Sequence, residues 1–327
     1  MIQCGTPALV LAPMDGITDA PMRALQGACG AFDLAVSEFL RVNQDPIPGK
    51  VFQREVPELL QGGRTASGLP VQVQLLGGHP ERMAASARVA VENGALAVDI
   101  NFGCPAPTVN RHDGGASLLR CPHRIRDIVS AVRQAVPTHI PVSAKLRLGW
   151  DNLDDIHLNA DMAAEGGADW LTIHARTRAQ GYEPPVYWKP IGQVRRRLNI
   201  PVIANGDIWT LEAFRRCQEE TECQHFMLGR CALADPNLAT ALRAELGLVT
   251  APWSWSWPGL LGKLAQLSPA GATSGHCKTL TRLKQWVRIA SRYGTFAFFD
   301  QLKRSATLEE FFRILESCFQ DSFCLQT

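Results

Sequence analysis

Polar and reactive side chains recur in pairs two residues apart along the chain: Gln72 and Gln74, Asp99 and Asn101, Lys145 and Arg147, His174 and Arg176. On an extended backbone, residues two apart point to one side, so each pair delivers two polar groups to one place. Asn101 also opens the run Asn101-Phe102-Gly103-Cys104-Pro105, which puts a cysteine in a Gly/Pro turn, where packing rarely requires sulfur. A thiol with an ordinary pKa of about 8.5 stays mostly protonated at neutral pH and can donate a proton. With a lowered pKa the same side chain is a nucleophile, and spacing leaves both roles open. A different chemistry belongs to Asn205-Gly206-Asp207 and Gly229-Arg230. There glycine lets backbone N–H groups approach an anion and arginine adds a two-pronged charge, which together meet the needs of a phosphate site.

These groups need elements that bring them together. Short β-rich apolar runs at 8–14, 33–38, 71–76, 97–101, 142–148, 170–174, 202–204 and 225–228 alternate with helical patterns or loops, the signature of βα units. Eight parallel strands predict an α/β fold, a closed (β/α)8 barrel of the TIM type. Helical patterns are best marked at 80–93, 122–136, 153–165, 211–220 and 236–246. The reactive pairs then fall near C-terminal strand ends, and the two glycine turns follow strands seven and eight, the usual phosphate position of this fold. A phosphate-bearing cofactor is implied. No G-x-G-x-x-G follows a strand and no Walker loop is present, which favours flavin mononucleotide (FMN) over a tightly held dinucleotide.

The segment 40–69 holds Pro46, Pro48, Pro57, Gly62 and Gly63 with little periodicity, and reads as a long functional or mobile loop on the same face. At 251–258 the run APWSWSWP breaks the pattern. The boundary placed there separates a barrel domain, 1–250, from a helical domain, 251–327, with amphipathic patterns at 260–267, 278–293, 296–303 and 308–318.

Apolar residues make up 46% of the chain and charged residues 20%, which suits a globular protein with a sizeable core and excludes disorder. Nothing at the start has the basic n-region of a signal peptide, and no apolar run reaches the roughly 18 residues of a membrane helix. The ten cysteines show neither a C-x-x-C pair nor zinc spacing, so a reduced, cytoplasmic protein without metal is expected. From Gly247 onward nine Lys/Arg stand against five Asp/Glu, or +4, which leaves −2 for the rest of a chain with net charge +2. A basic tail on a slightly acidic body points to an anionic partner.

The chain resembles the bacterial tRNA-dihydrouridine synthases almost end to end. The likeness is carried by APMDGITD at 12–19, SEF at 37–39, VQLLG at 73–77, DINFGCPAPTV at 99–109, GGASLL at 114–119, VSAKLRLGW at 142–150, IHARTRAQGY at 173–182, PVIANGDI at 201–208 and MLGR at 227–230. With EFLRV at 38–42 and RLKQW at 282–286, it is most similar to the C subfamily, which acts on uridine 16 of the tRNA D-loop. The resemblance implies FMN held by Pro13, Met14, Asp15, Gln74, Lys145 and His174, with Asn205, Gly206, Asp207, Gly229 and Arg230 at its phosphate. It further implies hydride transfer from the flavin to uracil C6, protonation of C5 by Cys104, a base held by Asn101, and re-reduction by NADPH or NADH. Arg41, Tyr182, Arg282 and Lys284 match the subfamily's tRNA-contact signature, and the tail helix from 278 to 292 is expected to carry a wide basic surface. A monomer is expected, with no membrane or DNA partner. Three positions depart from the pattern: Phe102 stands where Cys or Met is usual, Ala175 replaces the Gly of HGRT, and Asp207 replaces the Glu of the NGE turn.

The alternative is a flavin barrel acting on a free pyrimidine, as dihydroorotate and dihydropyrimidine dehydrogenases do, which needs no basic tail. An RNA-binding module on an inactive barrel leaves Cys104, Lys145 and the glycine turns unexplained. A Schiff-base aldolase built on Lys145 needs an apolar pocket, and Arg147 and His174 make that neighbourhood polar.

Overall fold

A computed structural model describes residues 2, 3, 5–268 and 274–324. Its first part runs β1 (Ala8–Leu11), α1 (Ala20–Ala28), β2 (Leu34–Arg41), α2 (Gly49–Glu55), β3 (Val71–Leu76), α3 (Pro80–Glu92), β4 (Val98–Asn101) and α4 (Pro107–Asn110). It continues with α5 (Pro122–Ala135), β5 (Val142–Arg147), α6 (Asp155–Glu165), β6 (Trp170–His174), α7 (Lys189–Arg197), β7 (Val202–Asn205), α8 (Leu211–Thr221) and β8 (His225–Leu228). After the last strand come α9 (Arg230–Ala234), α10 (Leu238–Glu245), α11 (Trp257–Leu267), α12 (Ser274–Tyr293), α13 (Phe299–Leu302) and α14 (Leu308–Cys324).

The eight strands pair in chain order, all parallel, and β1 closes on β8 through Ala8 opposite His225 and Leu11 opposite Leu228. This is the expected TIM barrel with a helical C-terminal part. Three strands match the apolar runs end for end, because Val71–Leu76, Trp170–His174 and His225–Leu228 are β-rich and buried throughout. The first run ends early. Beyond Ala12 the chain leaves the ladder for a turn in which the Met14 N–H donates to Thr18 Oγ1 at 2.7 Å and the Ile17 N–H to Glu38 Oε1 at 2.9 Å.

The segment 40–69 is not a featureless loop. It holds α2 and a 3-10 turn at Pro57–Gln61, and the fully buried Arg23 reaches in from α1 to pair with Glu58 through two bonds of 2.8 Å. Among the tail patterns, 296–303 shrinks to the single turn of α13, while the flanking Phe296 is buried against Trp257.

The tail is seated on the barrel by an apolar cluster common to both. Met22 and Leu25 of α1, Cys29 at its C-cap and Leu233 of α9 pack with Leu261, Leu264, Leu283, Trp286 and Val287 of α11 and α12. Each large apolar side chain so buried contributes about 1.5–3 kcal/mol. The Trp286 indole N–H, in the middle of the cluster, donates to the Leu233 carbonyl at 2.9 Å, so its burial leaves no donor unpaired. Among the described residues, no helix is long and apolar enough to cross a membrane.

Candidate active site

A cavity of about 500 Å³ opens at the C-terminal ends of the strands, within the usual range for small-molecule sites. Pro13, Met14, Asp15, Gln74, Asn101, Cys104, Lys145, His174, Tyr182, Asn205, Gly206, Asp207, Gly229 and Arg230 all line it. Residues as far apart in sequence as Pro13 and Arg230 therefore meet because they lie at or beyond strand ends. Arg41 faces a neighbouring groove formed by the segment after β2.

Cys104 sits on a turn that Asn101 holds. The Gly103 and Cys104 backbone N–H groups both donate to Asn101 Oδ1 at 2.9 Å, and Arg147 Nε donates to the Gly103 carbonyl at 2.8 Å. Burial pushes the Cys104 thiol up, with Asp15 adding to it and Arg147 and Lys145 opposing. The thiol therefore stays protonated at neutral pH, which favours an acid over a nucleophile.

Lys145 is the cation of the cavity floor. Its ammonium donates to Asn205 Oδ1 at 3.2 Å, and the Asn205 amide donates in turn to the Met227 carbonyl at 2.8 Å. Burial and the neighbouring Arg147 depress its pKa to about 8, against the pull of Asp99. Burial, followed by the charges of Arg147 and Lys145, holds His174 well below the usual imidazole range. His174 is thus a neutral hydrogen-bonding group.

The turn after β7 is built around a close approach. A Cβ at Gly206, whose φ is +122°, would lie 2.9 Å from His174 Cδ2, so glycine is required. Asp207 follows with φ +49° and pairs with Arg176, which donates to its Oδ1 at 3.0 Å, and with Arg230 at 3.5 Å. The Asp207 carboxylate is therefore committed to arginines, and only the backbone of this turn is left for an anion. Arg230 is enclosed by aromatic rings, 5.0 Å from Tyr182, 5.5 Å from Trp209 and 4.9 Å from Tyr293.

Two of the sequence departures are packing changes. Phe102 and Ala175 are fully buried, and their N–H groups donate to the Lys145 and Asn205 carbonyls, each at 2.8 Å.

The tail helix differs from a uniform basic surface. Arg282 turns toward the barrel and pairs with Asp19 and Ser268, while Lys284 Nζ donates to the Ser305 carbonyl at 2.5 Å. Neither lines the cavity. Arg288, Ile289, Arg292 and Tyr293 do, one and two turns further on. The four-residue spacing of Lys284, Arg288 and Arg292 marks that face in the sequence, whereas the part played by Tyr293 and by its partner Trp209, stacked at 5.4 Å, carries no sequence signal.

Among the described residues, no group of three or more His, Cys, Asp or Glu could hold a metal ion.

The fold is shared with solved structures only at low identity. A 2-naphthoyl-CoA reductase matches with a TM-score of 0.55 and 10% identity, over 73% of this chain and 50% of that one. A variant of NCR from Zymomonas mobilis matches with 0.50 and 14%, over 77% and 90%. Sequence relatives are far nearer. The tRNA-dihydrouridine(16) synthase of Shewanella oneidensis is 45% identical over 311 residues, 94% of this chain and 97% of the relative. That of Cupriavidus necator is 44% identical over 289 residues, 87% and 88% respectively. The family model described as Dihydrouridine synthase (Dus) matches residues 10–306, a span that takes in the end of β1, all of β2 to β8, the Cys104 turn, both glycine turns and α12; the chain belongs to the dihydrouridine synthase family.

Proposed function

We propose that this protein reduces uridine in tRNA to 5,6-dihydrouridine, at position 16 of the D-loop, with FMN as bound cofactor and NADPH as reductant. The observation that carries the reading is the placement of Cys104, protonated and held on a fixed turn above a floor that ends in Lys145 and a glycine-lined anion turn. Full-length likeness to enzymes of that name supports the substrate and the position.

The cavity suits a phosphate-bearing mononucleotide, since Gly206 leaves room that a Cβ would fill and Arg230 stands at the same end. Asn205, the Gly206 and Asp207 backbone, Gly229 and Arg230 would hold the phosphate, with His174 beside them. Pro13, Met14, Gln74 and Lys145 would hold the ring system, and Asp15 borders it. A flavin bound there supplies the two electrons that saturate the C5=C6 bond of the base. Lys145 places a positive charge where negative charge then accumulates.

Cys104 supplies the proton for C5. Its thiolate is eased by the nearby charges of Arg147 and Lys145, and its half-buried position lets solvent restore the proton. Asn101 meets the base. To reach this floor the uridine leaves its stack, which costs a few kcal/mol and is least costly in a loop. Arg288 and Arg292 at the rim, and Arg41 in the adjoining groove, offer charge to the tRNA backbone. Such a protein works as a monomer in the cytoplasm.

The test is to incubate the purified, flavin-loaded protein with NADPH and either unmodified tRNA or free uracil. Dihydrouridine in the tRNA and no turnover of uracil is the expected result. Turnover of the free base alone overturns the tRNA assignment.

A further inference from the structure

Asp99 lies beneath the cavity floor, 2% exposed, and makes no contact with the space above it. It is the point where two arms of hydrogen bonds end. On one arm the Gly103 and Cys104 N–H groups donate to Asn101 Oδ1, Asn101 Nδ2 donates to Gln74 Oε1 at 2.9 Å, and Gln74 Nε2 donates to Asp99 Oδ2 at 2.7 Å. On the other, Gln72 Nε2 donates to Ser143 Oγ at 2.9 Å and Ser143 Oγ donates to Asp99 Oδ1 at 2.5 Å.

The direction of this chain cannot reverse. At one end stand backbone N–H groups, which only donate. At the other stands a carboxylate, which only accepts when ionised. Between them the two amides have a single consistent orientation. Both lone pairs of Asn101 Oδ1 are taken by the turn, so its second Nδ2 hydrogen is the group it has left for the cavity. A donor at that point suits a carbonyl oxygen, as uracil carries, and opposes an exocyclic amino group, as cytosine carries.

We propose that Asp99 is a positioning residue for the acid: as the terminal acceptor of the Gln74–Asn101 chain, it locks the Asn101 amide and through it the turn that presents Cys104. The role rests on the reading of Cys104 as the acid of uridine reduction. Burial pushes the Asp99 carboxyl up to about 6, so it remains ionised and acceptor-only at neutral pH. Its function is that of an acceptor, and Asn at this position can still turn its oxygen to Gln74 while its amide donates to the Ser143 hydroxyl.

The experiment compares Asp99→Asn, Asp99→Leu and Ser143→Ala with wild type as flavin-loaded enzymes. Two readouts are taken: the rate at which saturating tRNA reoxidises the reduced enzyme, and the rate of iodoacetamide alkylation at Cys104, followed by peptide mass spectrometry. Asp99→Leu is expected to slow reoxidation at least 10-fold at unchanged half-saturating tRNA, and to speed alkylation several-fold. Asp99→Asn and Ser143→Ala are expected to stay within about 3-fold of wild type on both, because each leaves an acceptor for Gln74 Nε2 at the end of the Gln74–Asn101 arm. An Asp99→Leu enzyme with wild-type values, or an Asp99→Asn enzyme as impaired as Asp99→Leu, overturns the proposal. Should Asp99→Leu not fold, Gln74→Leu cuts the same chain and must accelerate alkylation alike; no acceleration overturns it. Alkylation needs no tRNA, so it reads the chain even where wild type shows no uridine reduction, which separates failure here from failure of the proposed function.

Discussion

Arg282 of α12 and Asp19 of the barrel, 263 positions apart, form an ion pair across the junction of tail and barrel. Asp19 is at the same time the N-cap of α1, accepting the Met22 N–H through its other oxygen at 3.2 Å. One carboxylate thus starts a barrel helix and anchors the tail. An arginine read from the sequence as a tRNA contact has a seat inside the protein.

Its replacement should therefore act first on stability. Arg282→Ala is expected to cost about 1–2 kcal/mol, the range for a hydrogen bond to a charged partner that is partly exposed, seen as a lower midpoint in thermal unfolding. Arg288→Glu and Arg292→Glu, at the exposed rim, are expected to leave that midpoint unchanged and to weaken tRNA binding with a shallower salt dependence. Unfolding scans together with filter binding at several salt concentrations separate the two. An Arg282→Ala protein of full stability but weakened tRNA affinity would return that residue to the tRNA surface.

Cys104→Ala should keep its flavin and lose turnover. General acid catalysis contributes about 10²–10⁴-fold, so the loss in dihydrouridine formation is expected in that range, with the visible flavin spectrum intact. A variant with full activity removes the acid assignment.

The pH profile should be limited on its alkaline side by Lys145. A general acid is active while protonated, and burial raises the Cys104 thiol above its ordinary value, so its loss of activity falls at high pH. Lys145 deprotonates earlier, at about 8, and with it goes the positive charge on the cavity floor. Turnover under saturating tRNA is expected to decline through pH 8 in wild type. In Lys145→Arg that limb should move upward, since a guanidinium stays charged throughout. An unmoved limb in Lys145→Arg assigns it to another group.

Removing Arg230 tests the phosphate end. Arg230→Ala deletes a charge-assisted contact worth about 1.5–3 kcal/mol, and FMN binding followed by flavin fluorescence should weaken roughly 10- to 100-fold. Tyr293→Phe removes only the hydroxyl that receives Arg230 Nη1 at 3.3 Å, and is expected to weaken FMN far less. Equal affinity of Arg230→Ala and wild type places the phosphate elsewhere.

The barrel was legible because buried parallel strands are short β-rich runs, and because residues two apart share a side. That rule alone brought Gln74, Asn101, Lys145 and His174 to one cavity. Helices α1 and α7 were harder to mark, each only nine residues long, and α7 ends in Arg195, Arg196 and Arg197. The helix in 49–55 lay hidden between prolines. Contacts between distant charges were not legible at all. Nothing local tells Arg282, which meets Asp19, from Arg288, which faces the cavity, since both recur at helical spacing on one element. The commitment of Asp207 to Arg176 and Arg230 likewise depends on the turn geometry after β7 and not on the motif.

The most direct measurement is a map of dihydrouridine at each D-loop position in tRNA from cells lacking this gene, against the same cells with the gene restored. Loss at position 16 alone, recovered by the wild-type gene and not by Cys104→Ala, is the predicted result. An unchanged map, from cells whose purified protein is yellow with flavin, would contradict uridine reduction in tRNA as the function.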